Sequence, residues 1–189
     1  MASTKIYDYI ERIAELQRSD SRRCTAKYGL QPVQLEVLHY LSICNQFSDT
    51  AKALTEYLGQ TKGSVSQTLK VLENKGYLNK VADLDDGRIT HLQVTDSARQ
   101  LLQKAIPSPQ FNAASTMLSE QKNIQIESSL RELLQALLGA NNMKTFGVCC
   151  SCRYNVHRGG SDYYCQLLKL PLHEKAVELI CKEHQLPAE

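Results

Sequence analysis

One stretch, Leu54 to Leu78 (LTEYLGQTKGSVSQTLKVLENKGYL), limits what this chain can fold into more than any other. It reads as two short helices, a tight turn between them, and the start of a strand. Ala51, Leu54 and Leu58 place apolar side chains on one face of the first helix. Gly59 stands where a left-handed stop belongs, a conformation that glycine adopts without steric cost. Thr61 is expected to cap the next helix, because the first backbone N–H groups of a helix lack partners. In that helix Val65, Leu69 and Leu72 recur at inward-facing spacing. Ser64, Gln67, Thr68 and Lys70 fall mostly on other faces, and Asn74-Lys75-Gly76 ends the helix. Short hydrogen-bonding side chains beside a cation suit the edges of bases in a major groove.

The following stretch, Leu78 to Val94 (LNKVADLDDGRITHLQV), reads as strand, turn, strand. Asp85-Asp86-Gly87 is a hairpin signal, with positive φ expected around the Asp-Gly pair. A helical hairpin backed by a β-hairpin is a winged helix. Arg88 at the hairpin tip is then placed to enter a minor groove, with Asp86 available to orient its guanidinium.

With these residues assembled, the chain resembles the multiple-antibiotic-resistance regulator (MarR) family of bacterial winged-helix repressors. The likeness rests on LTEYLGQTKGSVSQTLKVLENKGYL, on Asp86 and Arg88, and on Leu92-Gln93-Val94-Thr95, and it spans roughly residues 4 to 140. Asp96-Ser97-Ala98 follows Thr95 where the family often has a glycine. The resemblance implies a homodimer whose paired recognition helices bind near-palindromic double-stranded operator DNA. It also implies that a small-molecule effector can bind near the dimer interface.

Composition sets bounds on this reading. A chain of 189 residues is long enough for a substantial core. Its net charge of +2 argues against a polybasic tail, yet Lys62, Lys70, Lys75 and Lys80 face a single Glu73 between residues 61 and 80. That is a local phosphate-binding footprint, which a dimer would double. The sequence has no bilayer-length apolar run and no apolar signal core at its start, so a cytoplasmic location is expected. In that compartment seven cysteines point to metal or redox chemistry ahead of structural disulfides.

The fold class expected is mainly α with a small β-wing. Residues 1–30 form an N-terminal dimerisation helix with Ile6, Tyr9, Ile10, Ile13 and Leu16 on one face. Residues 31–95 form the winged helix-turn-helix, opened by Pro32 at a helix start, with Cys44 as a small core residue. Residues 96–143 are dimerisation helices, broken at Pro107-Ser108-Pro109. Within them Ile126, Leu130, Leu133, Leu134, Leu137 and Leu138 form a wide apolar stripe. Cys24 beside Arg22 and Arg23 is a minor candidate for an oxidant sensor.

Residues 144–189 are a cysteine-rich tail. Cys149, Cys152, Cys165 and Cys181 follow C-x2-C-x12-C-x15-C, with Cys150 outside the set. C-x2-C places two thiolates on one tight loop. Gly159-Gly160 lets the chain double back, and Pro171 is expected to open a helix running to Cys181. Four cysteines with a single close pair favour an iron–sulfur cluster. Zinc is the alternative, with His184 or His157 available as further ligands, and a set of unligated thiols open to disulfide formation is the third reading. A short tail with little core of its own would gain stability from a metal.

The expected function is therefore a dimeric repressor whose operator affinity is tuned by a four-cysteine cluster sensing redox or iron state. Ser64, Gln67 and Thr68 would face bases, Lys62, Lys70 and Lys75 phosphates, and Arg88 the minor groove. A structural zinc tail, or an enzyme carrying a winged-helix appendage, are the competing readings. Against the enzyme, the chain has no glycine-rich phosphate loop, no H-E-x-x-H and no serine nucleophile elbow.

Overall fold

The computed structural model describes residues 2–187. A long helix α1 (Ala2–Ala26) leads into α2 (Pro32–Ile43), α3 (Ala51–Leu58) and α4 (Lys62–Asn74). Strands β1 (Leu78–Ala82) and β2 (Thr90–Val94) form the wing, and α5 (Asp96–Ala105) closes the lobe. Two further helices, α6 (Pro109–Thr116) and α7 (Glu120–Ala140), precede a small second sheet of β3 (Asn155–Gly159), β4 (Asp162–Cys165) and β5 (Leu170–Leu172), followed by a short α8 (Glu174–Val177).

The local signals act as the sequence predicts. Gly59 adopts φ 63°, and the Thr61 hydroxyl accepts the Ser64 N–H at the head of α4. Thr95 caps α5 through the Ala98 N–H, so the missing family glycine leaves that helix start intact. Leu38, Leu54, Val65, Leu72, Leu78 and Ala98 are buried together and define the lobe's core. The wing strands pair antiparallel from Leu78 opposite Val94 to Ala82 opposite Thr90.

Two expectations are corrected, at Gly87 and at Pro171. Gly87 is not among the positive-φ glycines, so the wing tip is not a two-residue Asp-Gly turn. Residues 83–89 form a wider loop instead, in which Asp83 Oδ1 accepts the N–H groups of Asp85 and Asp86. The segment after Pro107 contains α6, capped by Ser108 with Pro109 in its first turn. Its sparse apolar residues gave no helical stripe. Pro171 lies in β5, on the edge of the second sheet, where a missing N–H costs no ladder bond. The helix after it starts later, with His173 as its cap.

Two helices do not finish their packing within the chain. Helix α7 buries none of its residues; Leu130, Leu134 and Leu137 are each about half exposed. On α1, Ile6, Tyr9, Ile13 and Leu16 are also exposed. Among the described residues no helix is long and apolar enough to cross a membrane.

The tail docks on the winged-helix lobe. Phe146 enters the main core against Tyr40 and Tyr57, with ring centroids 6.2 and 5.3 Å away. The Ile180 carbonyl accepts the Asn45 N–H, and the Ile180 N–H donates to the Ile43 carbonyl, both at 2.9 Å. Outside the backbone, Lys144 pairs with Glu56 at 2.9 Å.

Candidate nucleic-acid interface and cysteine cluster

Helix α4 turns Val65, Leu69 and Leu72 into the core, and its remaining surface is polar. Lys62, Ser64, Gln67 and Lys70 are all exposed on it. Thr68 is the exception among the expected base-facing residues. It is 8% exposed and lies on the inward side with Leu69, so its hydroxyl is not presented to a groove. The cause is helical phase: a residue three positions after Val65 shares its face.

Lys75 is exposed, but its ammonium donates to the Gly29 carbonyl at 2.9 Å. It braces the end of α4 against the α1–α2 turn, and its charge is partly committed there. Lys80 pairs with Glu73 at 2.6 Å, which narrows the free cationic footprint to Lys62 and Lys70 among the lysines of this segment.

At the wing tip the expected pairing of Arg88 with Asp86 is formed. Arg88 Nε and Nη2 donate to the two oxygens of the Asp86 carboxylate at 2.9 and 2.8 Å. The Arg88 side chain remains 90% exposed, so the fork is oriented without being covered. The hydrogen bonds from Arg88 hold the Asp86 carboxyl below its ordinary value, and Asp86 raises the guanidinium in turn.

Behind the tip lies a group that sequence patterning did not single out. His91 Nδ1 faces Asp49 Oδ1 at 2.7 Å, and Nε2 faces Asp83 Oδ2 at 2.9 Å. Its hydrogen bonds to Asp83 and Asp49 raise the imidazole above its usual value. Asp83 is lowered to about 2 by His91 and by the two wing amides. Asp49 moves the other way, because its partial burial outweighs the imidazole. Alternating residues on a strand carry no hint of a partner 42 positions away.

At these points the winged lobe can be compared with known proteins. The family model described as MarR family matches residues 28–89. The chain carries a MarR-family domain. That MarR domain contains α2 to α4, β1 and the wing tip up to Ile89. Among solved structures, a mutant of S. aureus MepR bound to an oligodeoxyribonucleotide is 26% identical, with a TM-score of 0.50. It covers 69% of this chain and 97% of its own. The S. aureus MepR–DNA complex is 24% identical over the same shares, with a TM-score of 0.55. A MarR transcriptional regulator from Methanosarcina mazei Go1 is 19% identical, covers 72% of this chain and 99% of its own, and has a TM-score of 0.62. These relatives are spanned almost end to end, while just under a third of the present chain has no counterpart in them. No match was found among curated protein sequences.

Beside the MarR lobe, the tail gathers its thiols. Cys149 and Cys181 are buried in a small cluster with Leu172 and Val177, and Cys165 and Phe47 pack against it. Cys149 opens a short 3-10 turn, Cys149–Ser151, that brings Cys152 back beside it. Burial pushes the Cys149 thiol up to about 12, and the neighbouring Cys181, Cys152 and Cys165 add to the shift. The Gln185 N–H points at Cys152 Sγ and the Leu168 N–H at Cys165 Sγ, each at 3.5 Å. Cys150 is exposed. Among the described residues no three His, Cys, Asp or Glu side chains converge closely enough to hold a metal ion as they stand.

The two histidines considered for zinc are engaged elsewhere. His184 is buried, with Nδ1 on Thr145 Oγ1 at 2.7 Å and Nε2 on Ser151 Oγ at 3.0 Å. His157 stacks on Tyr163 and bonds the Gly160 carbonyl. Of the other cysteines, Cys44 is buried in the main core, and burial pushes its thiol up to about 12, as befits a packing residue.

Proposed function

We propose that this protein is a homodimeric, DNA-binding transcriptional repressor of the cytoplasm, reading operator DNA with α4 and the Arg88 wing. The observation that carries this is the combination, inside a MarR-family domain, of a polar α4 face and an exposed, Asp86-oriented arginine at the wing tip. Ser64 and Gln67 face bases, Lys62 and Lys70 face phosphates, and Lys75 does so only if it leaves Gly29. The exposed apolar faces of α1 and α7 support a second copy as partner, since patches of this size are rarely left to water. A cleft of about 540 Å³, lined by Ala14, Leu35, His39, Ile106 and Phe111 among others, supports an apolar small-molecule effector. Selection from a random duplex pool tests the DNA reading: enrichment of a two-fold-related sequence is expected, and no enrichment overturns it.

The tail adds the regulatory part. Cys149, Cys152, Cys165 and Cys181 would supply an all-sulfur donor set, since the nearby histidines are engaged elsewhere, but the four thiols would have to draw closer together than they stand. Two backbone N–H groups point at sulfurs of this set, Leu168 at Cys165 and Gln185 at Cys152, the kind of contact that surrounds iron–sulfur centres. An iron–sulfur cluster held there would tune operator affinity with redox or iron state. Zinc on the same four thiolates is the second reading, and would make the tail a scaffold. Protein purified without oxygen decides between them: visible absorption with iron and acid-labile sulfide supports the sensor, and stoichiometric zinc without colour supports the scaffold.

A further inference from the structure

We propose that His91 is the positioning residue of the wing, clamping it through Asp83 and Asp49 to the chain corner on which the cysteine tail is docked. This rests on the DNA-binding reading above.

The clamp has two sides. On the wing side, Asp83 uses one oxygen for His91 and the other for the N–H groups of Asp85 and Asp86, at 2.8 and 2.7 Å. Asp86 in turn holds the Arg88 fork. A single imidazole therefore fixes the carboxylate that shapes the loop from which Arg88 projects. Carboxylate oxygens at both ring nitrogens favour the protonated ring, which donates from both.

On the other side, Asp49 belongs to the corner between α2 and α3. Its carbonyl accepts the Leu92 N–H at 2.8 Å, so corner and β2 are joined twice. Next to it, Ser48 is fully buried; its hydroxyl accepts the Lys182 N–H and donates to Asn45 Oδ1, at 2.8 and 2.9 Å. Asn45 is itself bound through its N–H to the Ile180 carbonyl. Cys181 lies between Ile180 and Lys182. Any change that draws Cys181 toward other thiols thus pulls on a segment bonded to the corner, one residue from the Asp49 end of the clamp. Wing and tail hold opposite sides of the same short segment, so the angle of Arg88 depends on both.

A network of contacts becomes coupling only when perturbation shows it. Two readouts are combined: amide hydrogen exchange of the wing in DNA-free protein, and affinity for the duplex of about 30 bp that wild type enriches from a random pool. His91→Gln and His91→Ala are expected to speed exchange at Asp85, Asp86 and Ile89 about tenfold, with α5 unchanged. Affinity should fall about fivefold or more. In an Arg88→Ala background the His91 substitution should cost nothing further, because its effect passes through Arg88. Ser48→Ala should produce a smaller rise in wing exchange. A wing whose exchange is unmoved in a folded His91→Gln protein overturns the clamp, as does full additivity with Arg88→Ala. If no duplex is enriched, the DNA reading fails instead, and with it the positioning role. Should His91→Ala not fold, His91→Gln and Asp83→Asn carry the same comparison.

Discussion

Phe146 meets Tyr57 edge-on, with ring centroids 5.3 Å apart and planes inclined at 72°. Edge-to-face aromatic pairs add to the burial energy of the rings themselves. This contact ties a tail residue into the winged-helix core. Phe146→Ala should therefore cost about 3–5 kcal/mol of stability, although the site lies well outside the MarR-family segment. Urea titration should show the lowered midpoint. A loss under about 1 kcal/mol would mean the tail is not part of the lobe's cooperative unit.

Gly147 follows, and a Cβ there would lie 2.5 Å from the His184 ring. The ring is buried and held at both nitrogens, so it has little room to retreat. Gly147→Ala should destabilise by about 1–3 kcal/mol through overpacking. An unchanged melting temperature would show that the ring can swing aside.

Arg88→Ala should leave thermal stability unaltered, since the side chain is exposed and its ion pair is screened. Duplex affinity should fall, and the slope of log affinity against log salt should lose about one unit for the missing contact. Gln67→Ala should instead weaken some base pairs and spare others. Filter binding across a salt series separates the two behaviours.

The His91 clamp carries a defined pH signature. Its imidazole is raised in the folded protein by Asp83 and Asp49, so its contribution is complete below the unfolded value of about 6.5. It is lost as pH rises through the folded value. Asp83, held at about 2, contributes fully above about 4 and fails as pH falls toward 2. His39 and His184 have the opposite sign: burial lowers both, so their contribution fades on acidification. The informative quantity is thus the difference between wild type and His91→Gln. Melting curves should converge on the alkaline side and separate near pH 6; parallel curves throughout would refute the charge on His91.

If the proposed metal centre forms in the tail, Cys165→Ser should abolish its colour and bound metal, whereas Cys150→Ser should retain both. Cys150 is exposed, while Cys165 packs against the buried thiol cluster. Metal analysis of the two variants side by side is the check. Colour surviving in Cys165→Ser would remove that residue from the ligand set.

What could be read from residues alone was what local physics governs. Gly59 and Thr61 announced helix ends because caps are satisfied within a few residues. In α5 the buried residues Ala98, Leu101, Leu102 and Ala105 recur at helical spacing, a pattern local enough to show in the sequence. Thr68 was misplaced because a hydroxyl suggests exposure, while helical phase put it inside. The helix assigned to Pro171 proved to be a strand followed by the short helix α8, which ends at Val177, since the pairing with Tyr164 is tertiary. Tail docking was illegible for a plainer reason: Ile180 joins Ile43 and Asn45 through backbone atoms, which no side-chain pattern reports.

The seat of Phe146 among Tyr40 and Tyr57 also bears on biosynthesis. A ribosome delivers those tyrosines roughly a hundred residues before their aromatic partner emerges. Until then the nascent lobe exposes an unfilled apolar notch, and its final consolidation must wait for late translation. Ribosome-stalled chains ending before and after this point should differ sharply in protease resistance.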